Sequence, residues 1–212
     1  MTGIEMVVVG ASLGGLTAVR KILSALPADF RPAVAIVQHR RADADSHLPE
    51  ILAASTPLPL IEVEDKEDIR PGRIYLAPAN YHLLVEDNSF FLSIDAPVSF
   101  ARPSIDVLFE AAADRFGPAV VAVVLTGSSD DGAAGARAIK RAGGTVLVQD
   151  PREAESPVLP KATLAATPVD GVLPLPKLAD RLVTLCGTRP ARQAPPTAYS
   201  TPDGARGKPD RG

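Results

Sequence analysis

Uninterrupted runs of apolar residues mark four buried strands in this chain. They are "MVVVG" at 6–10, "AVAIVQ" at 33–38, "AVVAVVLT" at 119–126 and "TVLVQD" at 145–150. Short runs of this kind, rich in valine, are typical of strands that are covered on both faces of a sheet. The segment "LGGLTAVRKILSAL" at 13–26 has a helical period instead. It predicts one apolar helix face, made by Leu16, Val19, Ile22, Leu23 and Leu26.

The remaining pattern alternates helices and strands, with one exception. Helices are predicted at 47–55, 103–116, 132–144, 156–166 and 176–186, and short strands at 59–63 and 73–78. The exception is 81–95, where apolar positions alternate on both sides of Asp87-Asn88-Ser89, which predicts a β-hairpin. Strands separated by helices indicate βαβ units. We therefore predict an α/β fold, with a doubly wound, mostly parallel sheet, helices on both faces and an inserted β-hairpin.

The composition of the chain changes near residue 187. The whole chain has 212 residues, of which 46% are hydrophobic, and this suits one folded domain at 1–186. Residues 187–212 are rich in proline, glycine, alanine and arginine and have no apolar period. Such a segment buries too little apolar surface to offset its chain entropy. We predict that 187–212 is a disordered, net basic tail.

Composition and charge exclude several classes of protein. The net charge of −3 argues against a nucleic-acid surface. One cysteine, Cys186, forms neither an internal disulfide nor a cysteine-rich metal site. No apolar run reaches the ~18 residues of a membrane helix, and the first residues do not resemble a signal peptide. We therefore expect a cytoplasmic protein without direct membrane insertion.

Polar residues with catalytic chemistry follow the predicted strands. Ser12 follows the first strand, His39 the second, Asp130 and Asp131 the strand at 119–126, and Asp150 the strand at 145–149. The carboxyl ends of parallel strands form the ligand-binding edge of a doubly wound sheet. A serine, a histidine and an acid can therefore meet at one edge, which is the geometry of a hydrolytic triad.

Each of these residues also has a structural explanation. Ser12 could cap the following helix, His39 could simply close its strand, and Asp130 and Asp131 could complement a helix dipole. Chance does not readily place all three residue types at strand ends, so their combination favours the catalytic interpretation.

Two other kinds of site fit the sequence poorly. Read as a dinucleotide fingerprint, the turn after the first strand has Ser12 where the second glycine should lie, and Gln38-His39 where a ribose-binding acid should end the second strand. The three histidines, His39, His47 and His82, lack the spacing of zinc ligands. We expect neither a metal nor an organic cofactor.

An ordered set of motifs resembles the catalytic domain of the chemotaxis protein-glutamate methylesterases (CheB type). The motifs are "GASLGG" at 10–15, "VQHR" at 37–40, "RPSIDVLF" at 102–109 and "VVLTGSSDDGAAG" at 123–135. The resemblance covers roughly 5–186. It implies a serine hydrolase that demethylates glutamyl methyl esters on chemoreceptors, and in some members also deamidates receptor glutamines. Carried over by position, its triad is Ser12, His39 and Asp131.

The resemblance also implies how the remaining groups act. Backbone N–H groups near Leu13 and Ser128 would bind the oxyanion of an acyl-enzyme mechanism. Arg102 would orient acidic groups of the substrate, or else form only a surface salt bridge. The implied partner is the cytoplasmic domain of a methylated chemoreceptor or a related signalling protein.

The chain departs from the family pattern at three points. Leu13 replaces the usual threonine after the serine, and Ser128-Ser129 replaces Met-Gly in the turn before Asp131. No receiver domain precedes the first strand, so we expect a catalytic domain that stands alone. The two substitutions keep open an alternative, a non-catalytic binding or scaffold domain of the same fold.

Overall fold

The protein, described here by a computed structural model for residues 3–40 and 47–187, alternates strands and helices along the chain. The strands are β1 (Met6–Ala11), β2 (Ala33–Gln38), β3 (Leu60–Glu62), β4 (Ile74–Leu76), β5 (His82–Glu86), β6 (Ser89–Ser93), β7 (Val120–Val124), β8 (Thr145–Gln149) and β9 (Gly171–Leu173). The helices are α1 (Gly15–Ser24), α2 (Leu48–Ala53), α3 (Ile105–Phe116), α4 (Ala133–Arg141), α5 (Val158–Ala166) and α6 (Leu175–Cys186). A short 3₁₀ turn, Gly117–Ala119, leads into β7.

Seven strands form one parallel sheet in the order β3-β4-β2-β1-β7-β8-β9. From β1 the chain goes first to β2 on one side of the sheet and later crosses to β7 on the other side. The strand order therefore reverses between β1 and β7, which is where ligand sites form in open α/β sheets. The turns after β1, β2 and β7 all leave this edge. β5 and β6 pair antiparallel as a separate hairpin.

The sheet is covered on both faces, since the central strands β1, β2 and β7 are apolar at every position except Gln38 at the end of β2. Alternate residues of β1 enter two different cores: Met6 and Val8 pack on one face, and Val7 and Val9 on the other. The first core holds α3, α4 and the hairpin, and the second holds α1, α2 and α6. Valine suits both faces because its branched side chain packs well on a pleated surface.

The predicted fold class is confirmed, including the hairpin and its turn at Asp87-Asn88. One side chain was placed wrongly. Leu16 is 37% exposed, whereas the other four positions of the predicted apolar face are buried. The helix begins only at Gly15, so Leu16 lies in its first turn, beyond the edge of the core.

In the described ranges, no helix is long and apolar enough to cross a bilayer. All of the predicted tail except Gly187 lies outside the described residues.

Candidate active site

Ser12 occupies the turn between β1 and α1 and does not cap the helix. The N-cap of α1 is Gly14, whose φ of 75° is a left-handed conformation that glycine adopts without strain, and no side chain caps this end. The alternative that Ser12 is a helix cap is therefore wrong. Within the described residues its hydroxyl makes no hydrogen bond, and it faces a cleft.

The backbone around Ser12 is tied to the strands on both sides. The Ser12 N–H donates to the Thr126 carbonyl at 2.9 Å, just beyond β7. The Ser12 carbonyl accepts from the Gly15 N–H at 2.9 Å and from Gln38 Nε2 at 2.8 Å. The Thr126 hydroxyl donates to the Leu13 carbonyl at 2.8 Å. The turn is thus fixed although it belongs to no helix or strand.

His39 meets Asp131 across the end of the sheet. His39 Nε2 lies 2.6 Å from Asp131 Oδ2, and the carboxylate is completely buried. An ionised carboxylate only accepts hydrogen bonds, so Nε2 carries the proton and Nδ1 of a neutral ring is left as an acceptor. In the described part of the chain, no hydrogen bond joins this ring to the Ser12 hydroxyl, although both residues line the same cleft. Catalytic hydrogen bonds of this kind are often long in unliganded structures.

Asp131 is held by the amino end of α3. Ser104 Oγ donates to its Oδ1 at 2.6 Å, and the N–H groups of Ile105 and Asp106 donate at 2.7 and 3.1 Å. Burial by itself would raise the pKa of Asp131, but the hydrogen bonds from His39, Ser104 and the two backbone N–H groups outweigh it and hold the pKa below its usual value. The carboxylate therefore stays charged beside the imidazole.

Asp106, in the first turn of α3, accepts hydrogen bonds from the backbone at the start of α4. Its Oδ1 accepts from the N–H of Gly132 at 2.9 Å and of Gly135 at 2.7 Å. Burial raises the pKa of Asp106 to about 6, the bond from Gly135 opposes the rise, and the neighbouring charge of Asp131 adds to it. The alternative that Asp131 caps its own helix is therefore wrong, because the cap of α4 comes from Asp106 and Asp131 serves α3.

The other acids at the strand ends lie outside this cluster. Asp130 is exposed, and its carbonyl accepts from the Ala133 N–H at 3.0 Å. Asp150 pairs with Arg152 at 2.6 Å, and this bond lowers the pKa of Asp150 to about 2. Neither acid contacts His39. Of the candidate acids, the structure brings only Asp131 to the histidine.

Ser12 and His39 face an open cleft with a volume of about 800 Å³, and Asp131 is buried behind the histidine. One wall is the turn after β1, with Leu13 55% exposed and Leu16 beside it. The opposite wall is the segment 97–103, which includes a fully exposed Phe100. Arg102 lines the cleft, and its Nη1 donates to the carbonyls of Ile94 and Asp95 at 2.8 and 3.0 Å. Its guanidinium thus holds the wall in shape.

Leu13 and Ser128 also line the cleft, as the sequence predicts for the oxyanion site. Across the described residues, neither of their backbone N–H groups has a hydrogen-bond acceptor. The Leu13 N–H is nevertheless held in place, because the carbonyl of the same peptide group, that of Ser12, accepts from the Gly15 N–H and from Gln38 Nε2. Donors that are fixed and unpaired suit a developing negative charge.

Sequence reasoning missed the residues that support the cluster. They are Ser104 and Asp106 in "RPSIDVLF", together with Thr126 and Gln38, and the sequence pattern assigns none of them a role in the site. A buried polar residue at the end of an apolar strand was the available signal for Gln38.

His82 is buried between the Ser104 N–H and the Ala96 carbonyl. Over the described ranges, no three histidine, cysteine or acidic residues cluster as metal ligands.

Known proteins resemble this chain in sequence and in structure. A family model described as CheB methylesterase matches residues 7–182. A Leptospira interrogans protein, provisionally named protein-glutamate methylesterase/protein-glutamine glutaminase, is 44% identical over 182 residues, which are 85% of this chain and 94% of that protein. A Bordetella parapertussis protein of the same name is 37% identical over 87% of this chain, which spans only 54% of the relative. The crystal structure of the Thermotoga maritima CheB methylesterase catalytic domain aligns with a TM-score of 0.83 and 31% identity, covering 87% of this chain and all of that one. The chain therefore belongs to the CheB methylesterase family.

Proposed function

We propose that this protein is a serine hydrolase that demethylates glutamyl methyl esters on signalling proteins, with Ser12, His39 and Asp131 as its catalytic residues. The observation that carries the proposal is the 2.6 Å contact between His39 Nε2 and the buried Asp131, at the edge of a cleft that also contains Ser12. Membership of the methylesterase family supplies the class of substrate.

The first half of the reaction acylates Ser12. Because Nε2 is engaged by Asp131, His39 accepts the Ser12 proton at Nδ1 while the hydroxyl oxygen attacks the γ-carbonyl carbon. Asp131 stabilises the imidazolium that forms. When the tetrahedral intermediate collapses, the bond to the methoxy oxygen breaks, and the proton passes from His39 to this oxygen, so methanol leaves.

The second half of the reaction regenerates the enzyme. His39 takes a proton from a water molecule, whose oxygen attacks the acyl carbon. The bond to Ser12 Oγ breaks, the proton returns to this oxygen, and a glutamate carboxylate is released. The same steps hydrolyse a glutamine side chain, with ammonia as the leaving group, and the relatives are named for both reactions. No step needs a metal or an organic cofactor.

The backbone N–H groups of Leu13 and Ser128 bind the oxyanion in this proposal. Their lack of internal acceptors within the described residues supports the role. Since the backbone supplies these donors, the departures from the family pattern at both positions are compatible with catalysis. Loss of one such donor typically costs about 10²–10³ in kcat.

The cleft suits an acidic protein segment as substrate. Its described lining includes Arg102 and Arg40, of which Arg40 is paired with Glu62, and no carboxylate. Exposed apolar side chains come from Leu13 and Phe100 on its two walls. We propose that Arg102 orients acidic substrate groups with the part of its guanidinium that does not bind Ile94 and Asp95. The partner is then a methylated chemoreceptor cytoplasmic domain or a related signalling protein.

A fluorophosphonate probe for active serines tests the proposal. It should label the wild-type protein and fail to label Ser12→Ala, and only the wild type should release methanol from a peptide carrying a glutamate γ-methyl ester. A folded wild-type protein that neither reacts with the probe nor releases methanol would instead be the non-catalytic binding domain. Labelling at a serine other than Ser12 would also refute the assignment.

A further inference from the structure

Gln38 connects the two residues that must exchange a proton. It is the last residue of β2, is 8% exposed and directly precedes His39. Its side-chain NH₂ group donates to the Ser12 carbonyl at 2.8 Å and to the His39 carbonyl at 3.0 Å. One carboxamide therefore binds the backbone of both residues at once.

Gly15 provides the space that this carboxamide occupies. A Cβ atom at Gly15 would lie 2.1 Å from Gln38 Oε1 and 2.8 Å from Ala11 Cβ, so no other residue fits unless both neighbours move. Gly15 also donates its N–H to the Ser12 carbonyl at 2.9 Å. The Ser12 carbonyl is thus held by two donors, one from the start of α1 and one from the end of β2.

The environment of Gln38 is a poor one for stability. Its Oε1 is buried and has no hydrogen-bond partner among the described residues. Buried polar atoms without partners are unfavourable, and an apolar residue would continue the pattern of β2 without this penalty. A polar residue at such a position fits a functional role better than a structural one.

We propose that Gln38 is a positioning residue that fixes the distance between the Ser12 hydroxyl and the His39 ring. This inference rests on the proposed function. The backbone already joins the two turns once, through the His39 N–H and the Ala11 carbonyl at 2.9 Å. The other bonds of the Ser12 turn lead to Thr126 beyond β7 or to Gly15 of the same turn, so none of them reaches the His39 turn. The Gln38 carboxamide adds the second connection between the two turns, and it is the one that acts on the Ser12 carbonyl.

The main test is Gln38→Met, which keeps the length of the side chain and removes both donors. We expect the thermal midpoint to be kept or raised, kcat to fall by about 10²-fold and KM to change by less than about threefold. The rate of labelling by a fluorophosphonate should fall by a similar factor, because that reaction needs the same alignment and no specific substrate.

The control is Asn88→Leu. Asn88 Nδ2 donates to the Ile69 carbonyl at 3.0 Å, so this variant removes the same kind of hydrogen bond at the hairpin, away from the cleft. It should keep the kcat of the wild type. Equal losses of kcat in both variants would indicate general destabilisation and overturn the proposal.

A second variant approaches the same contact from the other side. Gly15→Ala leaves the carboxamide intact but forces it away from the Ser12 carbonyl, so it should reproduce the fall in kcat and in the labelling rate. In Gln38→Ala the carboxamide is gone, and adding Gly15→Ala to it should lower kcat only by what the remaining close contact with Ala11 Cβ costs. Full additivity of the two changes would refute the contact as the cause.

The outcomes separate this inference from the proposed function. A wild-type protein that does not react with the probe contradicts the proposed function itself. A wild-type protein that reacts, together with Gln38→Met and Gly15→Ala variants that react just as fast, contradicts only the positioning role. If Gln38→Met does not fold, the loss of kcat caused by Gly15→Ala in the wild type, compared with its loss in Gln38→Ala, decides the question.

Discussion

Replacing Asp131 with asparagine should nearly abolish turnover, whereas the same change at Asp130 should not. Asp131 is completely buried, and its two oxygens face donors only: His39 Nε2 and the Ile105 N–H on one side, the Ser104 hydroxyl and the Asp106 N–H on the other. An asparagine must turn its NH₂ group toward one of these sides. Either orientation puts a donor against a backbone N–H.

The size of the effect depends on which side receives the NH₂ group. If it faces His39, the ring must accept at Nε2 and carry its proton on Nδ1, so it no longer accepts the Ser12 proton. If it faces Ser104, the tautomer survives, but the charge that stabilises the imidazolium is lost. The first case costs about 10⁴ in kcat in serine-hydrolase triads. Opposed donors also cost about 1–3 kcal/mol of folding stability in either case.

The assay measures methanol release from a glutamate γ-methyl ester peptide at neutral pH, with thermal melting of both variants. Asp130 is exposed and contributes only its carbonyl to the turn, so Asp130→Asn should change kcat by less than about tenfold, or about 1.4 kcal/mol. A crippled Asp130→Asn, or an Asp131→Asn that keeps its rate, would show that the buried contact with His39 is not the catalytic one.

Three further changes test the roles of Ser12, of Asp106 and of the C-terminal segment. Ser12→Ala should lower kcat by about 10⁴–10⁶ without lowering the thermal midpoint, because Ser12 caps no helix; a retained rate or a lost fold would contradict this. The folded state binds the Asp106 proton more tightly than the unfolded state, since its pKa is about 6 instead of 3.8. The stabilisation is therefore complete below about pH 4 and is lost as the pH rises through 6. Between pH 4 and 7 the unfolding free energy of the wild type should fall by up to about 3 kcal/mol relative to that of Asp106→Asn. If the unfolding free energies of the two proteins change with pH in the same way, the raised pKa of Asp106 is contradicted. A chain that ends at Cys186 should keep its melting temperature and its rate on a small ester, since 187–212 has no core-forming composition.

The strands could be predicted from the sequence because a strand that is buried on both faces consists almost entirely of apolar residues. Each central strand is an unbroken apolar run, and no tertiary information is needed to recognise it. The residue at which α1 begins cannot be recognised from the apolar pattern in the same way. The apolar period continues back to Leu16, but Gly14 adopts a left-handed conformation and the helix begins after it. Periodicity therefore placed Leu16 in the core, whereas the structure leaves it at the edge of the cleft.

The support of the site could not be predicted, because it depends on which helix end an acid faces. Asp106 lies in the first turn of α3, and Asp131 directly precedes the N-cap of α4, so each looks like an acid serving its own helix. In the fold each carboxylate accepts hydrogen bonds from the backbone at the start of the other helix. This exchange is set by the packing of α3 against α4, across a separation of 25 residues. It holds Asp131 by groups of another element, so the position of the carboxylate beside His39 does not depend on the turn after β7 alone.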